Sequence, residues 1–524
     1  MSIRVILAEL VVARADTGAE TTLYFSDMPM RPFRSDDADR PDQAYDPRLI
    51  DPANVARELS LDLARFEGTV AGGSMVLSNA DGALNYLRGY VPGRLSLYWG
   101  AAGDAFSTFV PLLVGRAGPP DFRLSASSPG RLAIPVYDLR AELDSPLQGT
   151  TYAGTNNGAG SGYEGTEDDL KGLPKPLALG DLTRANIPGR AANVQDLVDQ
   201  LHDGKIEGVT AIYNGGGDAG LTLNGTSTGV AFDDVALTAT EYEDDRARGL
   251  VKRGGVLANI VTYDLKGAAD TVFGDGYDDT AGPLIKRVLA MKGITGTAIG
   301  ASFGTLNATQ KMGLWLDTEV TALEAVDALA ASIGGFALPD RTGTWQVAVV
   351  RAPAGNPVLT LLDDDIIDIA PDQAESGVPV GEVSVLYARN YTVMRRADMQ
   401  ASVHGTDREA YVSREWRRAT AVSATTKARW PDSYSVDLLT GLVSAAEAQA
   451  LADDVLALLG PRADGTPREA FLIQCEMTPA RLALELGSEV HVTDARAGID
   501  ADMILMAVRP TSPQRHLMTL RVYG

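Results

Sequence analysis

The sequence predicts a mainly β, multidomain protein with one α/β insertion. Short apolar segments with a period of two, bounded by glycine, proline and asparagine, recur along most of the chain, and this alternation is typical of half-buried strands. Helical periodicity is concentrated between residues 280 and 352. The chain has 524 residues. That length suits roughly three to four domains if each takes about 150 residues.

Alternating segments dominate the first half of the chain. Residues 34–43 are polar and without periodicity, so we expect an exposed loop there. Residues 148–168 are rich in glycine, threonine and asparagine, and we interpret them as a surface loop because strand-like sequence resumes on both sides. A second β-rich block then runs to residue 270, with a strand at 209–213 that turns at 214–217. In the first block, strands are predicted at residues 21–26, 72–78, 94–99, 109–114 and 131–136.

The α/β insertion is predicted from two helices and a hairpin. Pro283 suits the first turn of a helix over 284–291, which ends at Gly293. Thr321 and Glu324 have capping-box spacing for a second helix, which ends at Gly334. The residues that share its inward face are Leu323, Val326, Leu329, Ala330 and Ile333. A hairpin at 336–343 and a strand at 345–350 complete the unit.

The last third returns to strands around one helix. The helix is predicted from Ser444, which has capping-box spacing with Glu447, to Gly460. Strands are predicted at residues 383–387, 489–492, 503–508 and 518–522. The predicted domains are a β-rich tube-like domain at 1–145, a β-rich accessory domain at 146–279, a small α/β domain at 280–352 and a tube-like β domain with one flanking helix at 353–524.

Composition excludes several classes of protein. The content of 45% hydrophobic and 22% charged residues is that of ordinary globular domains. Cys475 is the only cysteine, so no intrachain disulfide forms, and we expect it to be a buried small hydrophobe. We expect no membrane span, because no apolar run reaches about 20 residues. Glu9 interrupts the amino-terminal apolar run, so we expect no secretory signal and synthesis in the cytoplasm.

The net charge is −23. No long Lys/Arg cluster supplies the basic footprint of a nucleic-acid binder, so we expect no sequence-specific nucleic-acid binding. The same charge would keep DNA from adhering to a conduit, although it would also serve solubility alone. Composition does not choose between these two roles.

No pattern of catalytic or ligand-binding residues emerges. The histidines His202, His404, His491 and His516 are far apart in sequence, and no P-loop occurs. Asp275, Asp278 and Asp279 form the best calcium candidate, but a solvated turn is the favoured interpretation. We therefore assign no catalytic, cofactor-binding or metal-binding residue and no cofactor.

Several segments have unusual spacing, and their order is the stronger signal. They are 66–84 (FEGTVAGGSMVLSNADGAL), 93–100 (GRLSLYWG), 170–180 (LKGLPKPLALG), 201–208 (LHDGKIEG), 313–317 (GLWLD), 343–347 (GTWQV) and 383–391 (VSVLYARNY). In this order the segments resemble those of the central baseplate hub, or tail-tip hub, of long-tailed, siphophage-like bacteriophages. The resemblance spans nearly the whole chain in short patches.

The resemblance implies a fold and a role. In hubs of this family, two tail-tube-like β domains are linked by accessory domains, and three copies form a ring with pseudo-sixfold symmetry. The chain would then be a structural, non-enzymatic virion protein that joins the tail tube to the tail tip or receptor-binding apparatus and lines the DNA exit channel. Its implied partners are two further copies, the distal tail protein, the tape-measure protein and tail-tip or fibre proteins. Assembly would take place in the host cytoplasm.

Two other classes of function stay open at this point. A receptor- or glycan-binding tail protein could use Trp416 and Trp430 as sugar platforms, although strand or core positions are the favoured interpretation of both. A tail-associated glycoside hydrolase could use a pair of the 69 acidic residues. A chance pair among so many acids carries little weight.

Overall fold

The computed structural model describes residues 3–53, 55–60, 68–70, 73–125, 128–156, 162–306, 308–372, 379–462 and 464–524. The protein is mainly β, with 41% strand and 18% helix arranged in several sheets, which confirms the predicted fold class. In the described part of the chain, no helix is both long and apolar enough to cross a membrane.

The strands before residue 270 are β1 (Arg4–Arg14), β2 (Glu20–Ser26), β3 (Leu49–Asp51), β4 (Arg57–Leu59), β5 (Gly68–Val70), β6 (Gly73–Ser78), β7 (Tyr90–Ala101), β8 (Val110–Ala117), β9 (Asp121–Ser125), β10 (Ser128–Tyr137), β11 (Leu177–Ile187), β12 (Arg190–Asn193), β13 (Val198–Gln200), β14 (Ile206–Asn214), β15 (Gly217–Asp218), β16 (Thr222–Thr226), β17 (Glu241–Asp245), β18 (Leu250–Arg253) and β19 (Val261–Ala268).

The later strands are β20 (Gly313–Leu316), β21 (Gly335–Pro339), β22 (Trp345–Val349), β23 (Leu359–Leu361), β24 (Ile366–Pro371), β25 (Val380–Tyr387), β26 (Arg417–Val422), β27 (Tyr434–Leu439), β28 (Ala470–Glu476), β29 (Glu489–Asp494), β30 (Ile499–Ser512) and β31 (Leu517–Tyr523). The α-helices are α1 (Val230–Asp233), α2 (Ala281–Met291), α3 (Ser302–Thr305), α4 (Ala322–Ala331), α5 (Asp407–Val412), α6 (Ala424–Arg429), α7 (Ala445–Leu459) and α8 (Pro479–Leu482).

The N-terminal sheet has eight strands in the order β2-β1-β7-β8-β10-β6-β3, with β9 paired to β10. Its strands include all five that periodicity predicts for this region, although residue 72 lies outside the described residues. The inner face is apolar because residues of one parity, such as Leu95 and Leu97 of β7, are fully buried. The predicted loop at 34–43 is mostly exposed.

Two five-stranded sheets form the middle of the molecule. One has the order β15-β14-β19-β11-β20 and the other β12-β13-β18-β17-β16. The predicted strand at 209–213 is part of β14, and the chain turns after Asn214 as expected. Residues 157–161 of the predicted glycine-rich loop lie outside the described residues.

The α/β unit forms around α2 and α4, which pack on each other. The capping box is present: the Thr321 side chain accepts from the Glu324 backbone N–H, and the Glu324 carboxylate accepts from the Thr321 N–H. Val326 and Leu329 are fully buried, as predicted. Leu323 is only partly buried against this core, because it lies at the margin of the apolar stripe.

The C-terminal sheet also has eight strands, in the order β23-β29-β30-β31-β28-β24, and β4 and β5 extend it by pairing next to β30. Residues 353–524, predicted as one unit, also contain a separate three-stranded sheet, β26-β25-β27, on which α7 packs. The capping box predicted at Ser444 is wrong, because the Ser444 side chain makes no capping hydrogen bond. One Glu447 oxygen is buried without a hydrogen bond, and burial raises the pKa of this carboxyl.

The N-terminal and C-terminal sheets share one continuous hydrophobic core. Trp99 of β7 lies at their junction, where its indole N–H donates to the Pro513 carbonyl at 3.3 Å and its ring meets that of His516 edge-on. Strands from opposite ends of the chain therefore close a single core.

Candidate functional site

One face of the C-terminal sheet is acidic and partly open to solvent, although Ile504, Tyr523 and Arg521 on the same face are buried. Along β29 the side chains alternate between partly exposed and buried, so Glu489 and His491 lie on the open face while Val490 and Val492 enter the core. The strand register places further charged residues of the C-terminal sheet on the same face. Its acidic residues are Glu58, Asp368, Glu476, Glu489, Asp500 and Asp502, and its arginines are Arg509 and Arg521.

Both arginines of this face are already paired with carboxylates. Arg509 binds Glu58 through two hydrogen bonds of 2.6 Å, and Arg521 contacts Asp372 at 2.7 Å. The remaining acids therefore give the open face a negative potential.

His491 lies on the acidic face and can gain a positive charge near neutral pH. Its Nδ1 lies 2.7 Å from Asp502 and its Nε2 lies 3.1 Å from Asp500. The hydrogen bond with Asp502 is the main cause that raises the pKa of His491. A protonated His491 offsets part of the negative charge around it.

The N-terminal sheet presents a different open face. Arg94 of β7 and Arg116 of β8 lie directly opposite each other in the strand register, and both are exposed. Tyr137 of β10 lies directly opposite Arg116 on the same face and is 48% exposed. No local sequence pattern indicates this basic pair, because its members are far apart in the chain and only the strand register brings them together.

A cleft of about 850 Å³ separates the β11–β20 edge and α4 from β27 and the segment at 388–391. Trp416, one of the two candidate sugar platforms, lines it and is half-buried rather than in the core or in a strand. The Arg389 guanidinium lies 5.4 Å from the Trp416 ring centroid and 3.0 Å from Glu415. Trp430, the other candidate, ends α6 and is also half-buried.

Two of the carboxylates that line the cleft are paired with arginines. Asp327 contacts Arg140 at 2.7 Å, and Asp437 contacts Arg418 at 2.8 Å. The lining of the cleft therefore combines apolar side chains with carboxylates, some of them paired with arginines.

The remaining histidines are dispersed. His202 is buried, and its Nδ1 accepts from the Ala178 N–H; burial lowers the pKa of this imidazole to about 4. The His404 ring contacts the Arg396 carbonyl, and His516 packs on Trp99. Within the described ranges, no group of three histidine, cysteine or acidic side chains is placed to hold a metal ion.

The calcium candidate is occupied by cations of the chain itself. Asp278 lies 3.6 Å from the buried Arg287, and Asp279 lies 2.9 Å from Lys311. Cys475 is fully buried, as predicted, and burial raises the pKa of its thiol to about 11. A thiol so protonated is a poor nucleophile.

The chain is structurally similar to several solved proteins over most of its length. No family model matches the chain, and no curated protein matches it in sequence. It is similar to the tail protein from Neisseria meningitidis MC58, at 14% identity and a TM-score of 0.38 over 99% of this chain and 96% of that chain. It is also similar to the 43 kDa tail protein of prophage MuSo2 from Shewanella oneidensis, at 9% identity and a TM-score of 0.36 over 98% of each chain.

A third similar chain belongs to the virion of a native gene transfer agent particle, at 14% identity and a TM-score of 0.42, covering 68% of this chain and 85% of that chain. These TM-scores lie below the level that indicates a shared fold, so the similarities carry no assignment of function.

Proposed function

We propose that this chain is a structural component of a bacteriophage tail, and within it the trimeric hub of the baseplate. One observation carries the proposal: two eight-stranded sheets, built from opposite ends of the chain, pack on one shared core. Two tube-like domains per chain and three chains per ring would give six similar units around an axis. The ordered sequence patches resembling hub proteins support the same role.

In this role the ring joins the tail tube to the tail tip or receptor-binding apparatus. Its partners are the distal tail protein, the tape-measure protein and tail-tip or fibre proteins, and its place is the virion. The acidic face of the C-terminal sheet lines the DNA exit channel. Carboxylates such as Asp500 and Asp502 repel phosphates over a Debye length of about 8 Å at physiological salt. Because this range is short, only side chains that face the lumen act on DNA.

The test is the symmetry and composition of the assembled particle. Electron cryomicroscopy should show three copies of this chain around the tail axis at the distal end of the tube. The charged residues nearest that axis should be mainly acidic. A sixfold or twofold arrangement would refute the hub, whereas a neutral or basic wall would refute only the channel role.

A receptor- or glycan-binding role has one observation in its favour, the half-buried Trp416 in the cleft. Stacking by Arg389 competes for the ring face that a sugar would need. A glycan-binding assay with Trp416→Ala, together with a polysaccharide digestion assay for the hydrolase alternative, separates these roles. The hub predicts neither Trp416-dependent glycan binding nor turnover.

A further inference from the structure

The turn between β21 and β22 buries an arginine without a partner. Arg341 is only 5% exposed, and all three nitrogens of its guanidinium are buried. Among the described residues, none provides an acceptor within hydrogen-bonding distance of these nitrogens. A buried guanidinium is normally paired and fully hydrogen-bonded, so this arrangement requires an explanation.

The adjacent acid does not supply the missing acceptor. One Asp340 oxygen accepts from the backbone N–H groups of Thr342 and Thr344, and the other accepts from the Gln346 amide at 2.9 Å. Asp340 therefore shapes the turn and leaves the Arg341 guanidinium unmatched.

A second buried arginine lies on a nearby strand, because β21 contacts β5 and β5 pairs with β4. Arg57 of β4 is 2% exposed, and its charge helps to lower the pKa of Arg341, although burial is the main cause of a value of about 9. One terminal nitrogen of Arg57 contacts Glu485 at 2.9 Å, but its Nε and Nη1 have no acceptor in the described part of the chain. Glu485 itself is half-exposed.

The charge in this region does not balance. Counting only the residues that the structure describes, two guanidinium groups share one carboxylate, and five buried nitrogens lack acceptors. The turn that carries Arg341 packs on the N-terminal sheet, because Gly343 lies against Val114. Arg57 belongs to the strand that extends the C-terminal sheet. The unmatched positive charge therefore lies where the hairpin meets both large sheets.

We propose that Arg57 and Arg341 together bind a small inorganic oxyanion of the phosphate or sulfate class. Guanidinium groups match oxyanions because their parallel N–H donors meet two oxygens at once. The bound ion neutralises the excess charge and links the β21–β22 turn to β4. It serves as a structural ligand at the junction of the two large sheets.

The experiment uses the full-length chain, dialysed into buffer free of phosphate and sulfate. Sodium phosphate is then titrated against sodium chloride at matched ionic strength, with calorimetry and thermal unfolding as readouts. We expect one phosphate per chain, and a melting temperature that rises with the logarithm of phosphate concentration above saturation of the site. Stabilisation by chloride equal to that by phosphate would overturn the proposal, as would the absence of a phosphate response.

Variants connect the response to this site. Arg341→Met keeps the length of the side chain and removes the unmatched charge, so the protein should fold while its phosphate affinity falls at least about tenfold. Arg351→Met is the matched control, since Arg351 is paired with Asp454 at 3.0 Å, and it should bind phosphate as the parent does. Unchanged phosphate binding by Arg341→Met would overturn the assignment of the anion site to Arg341.

If Arg341→Met does not fold, Arg341→Lys supplies the test. It keeps the charge without the paired donors, so it should bind phosphate more weakly than the parent, and parental affinity would overturn the proposal. Light scattering of the same samples reports the oligomeric state separately. A trimer that does not bind phosphate contradicts the proposed anion site alone. A chain that binds phosphate but is not trimeric in the particle contradicts the proposed hub role alone.

Discussion

The two large sheets have the same number of strands but differ in the charged residues on their outer faces. The open face of the C-terminal sheet is dominated by carboxylates, whereas that of the N-terminal sheet places Arg94 opposite Arg116. The net charge of the whole chain, −23, therefore does not describe each face. Net charge alone would have predicted two acidic faces.

The sheets also differ in how their outer faces are covered. Part of the N-terminal face is covered by the segment that carries Phe33 and Tyr45, which pack over Val5 and Leu7. Beneath it, Glu9 accepts hydrogen bonds from Arg40 and from the Tyr45 hydroxyl. The acidic face of the C-terminal sheet has its charges closer to solvent. If both sheets line a channel, the C-terminal one provides more of the repulsive wall.

The largest expected effect comes from breaking the junction of the two sheets. Trp99→Ala removes a fully buried indole from the shared core, and we expect a loss of about 3–5 kcal/mol in the free energy of unfolding. Chemical denaturation followed by circular dichroism measures it. Trp430→Ala, at a half-buried surface position, is the control and should cost clearly less. Equal losses in the two variants would show that the sheets do not depend on a common core.

A second core substitution acts away from both sheets. Leu329→Ala in α4 should cost about 2–5 kcal/mol, because Leu329 is fully buried and the cavity left behind refills only in part. Leu439→Ala, at a position 58% exposed, should change stability by less than about 0.5 kcal/mol. The same denaturation measurement applies. A small loss for Leu329→Ala would mean that the α/β unit packs loosely on the sheets.

Local patterns predicted fewer than half of the strands and α-helices named above. Alternation predicted these strands, and the Thr321–Glu324 spacing predicted the start of α4, because both signals act within a few residues. The same spacing failed at Ser444, where the side chain does not turn to cap the helix. Spacing permits a capping box but does not compel one.

Long-range pairing had no local signal. The addition of β4 to the C-terminal sheet joins Arg57 to Val508 across most of the chain. The Arg94–Arg116 pair and the Arg57–Arg341 pair likewise depend on register and packing, so the sequence offered no pattern for either. The half-buried positions of Trp416 and Trp430 escaped prediction for the same reason.

The basic pair itself can be tested by exchanging charges. Like charges directly opposite in a sheet repel, so Arg116→Glu should stabilise the protein by about 0.2–1 kcal/mol, and more at low salt. Arg94→Glu should give a similar gain. The double variant places two glutamates opposite each other, so the gain in stability should be lost. Thermal unfolding at two salt concentrations measures all three, and a double variant more stable than either single one would contradict the pairing.

The smallest expected effect concerns His491 on the acidic face, where solvent screens its contacts with Asp500 and Asp502. The contact with Asp502 raises the pKa of His491 above its unfolded value of about 6.5. Its stabilising contribution is therefore complete below that unfolded pKa and is lost as the pH rises through the higher folded pKa. The stability advantage of the parent over His491→Gln should be larger at pH 5.5 than at pH 8.5. Asp502→Asn should reduce the same pH dependence, because it removes the main partner of the protonated ring. A difference between parent and His491→Gln that does not vary with pH would show that the ring packs against this face without responding to its charge.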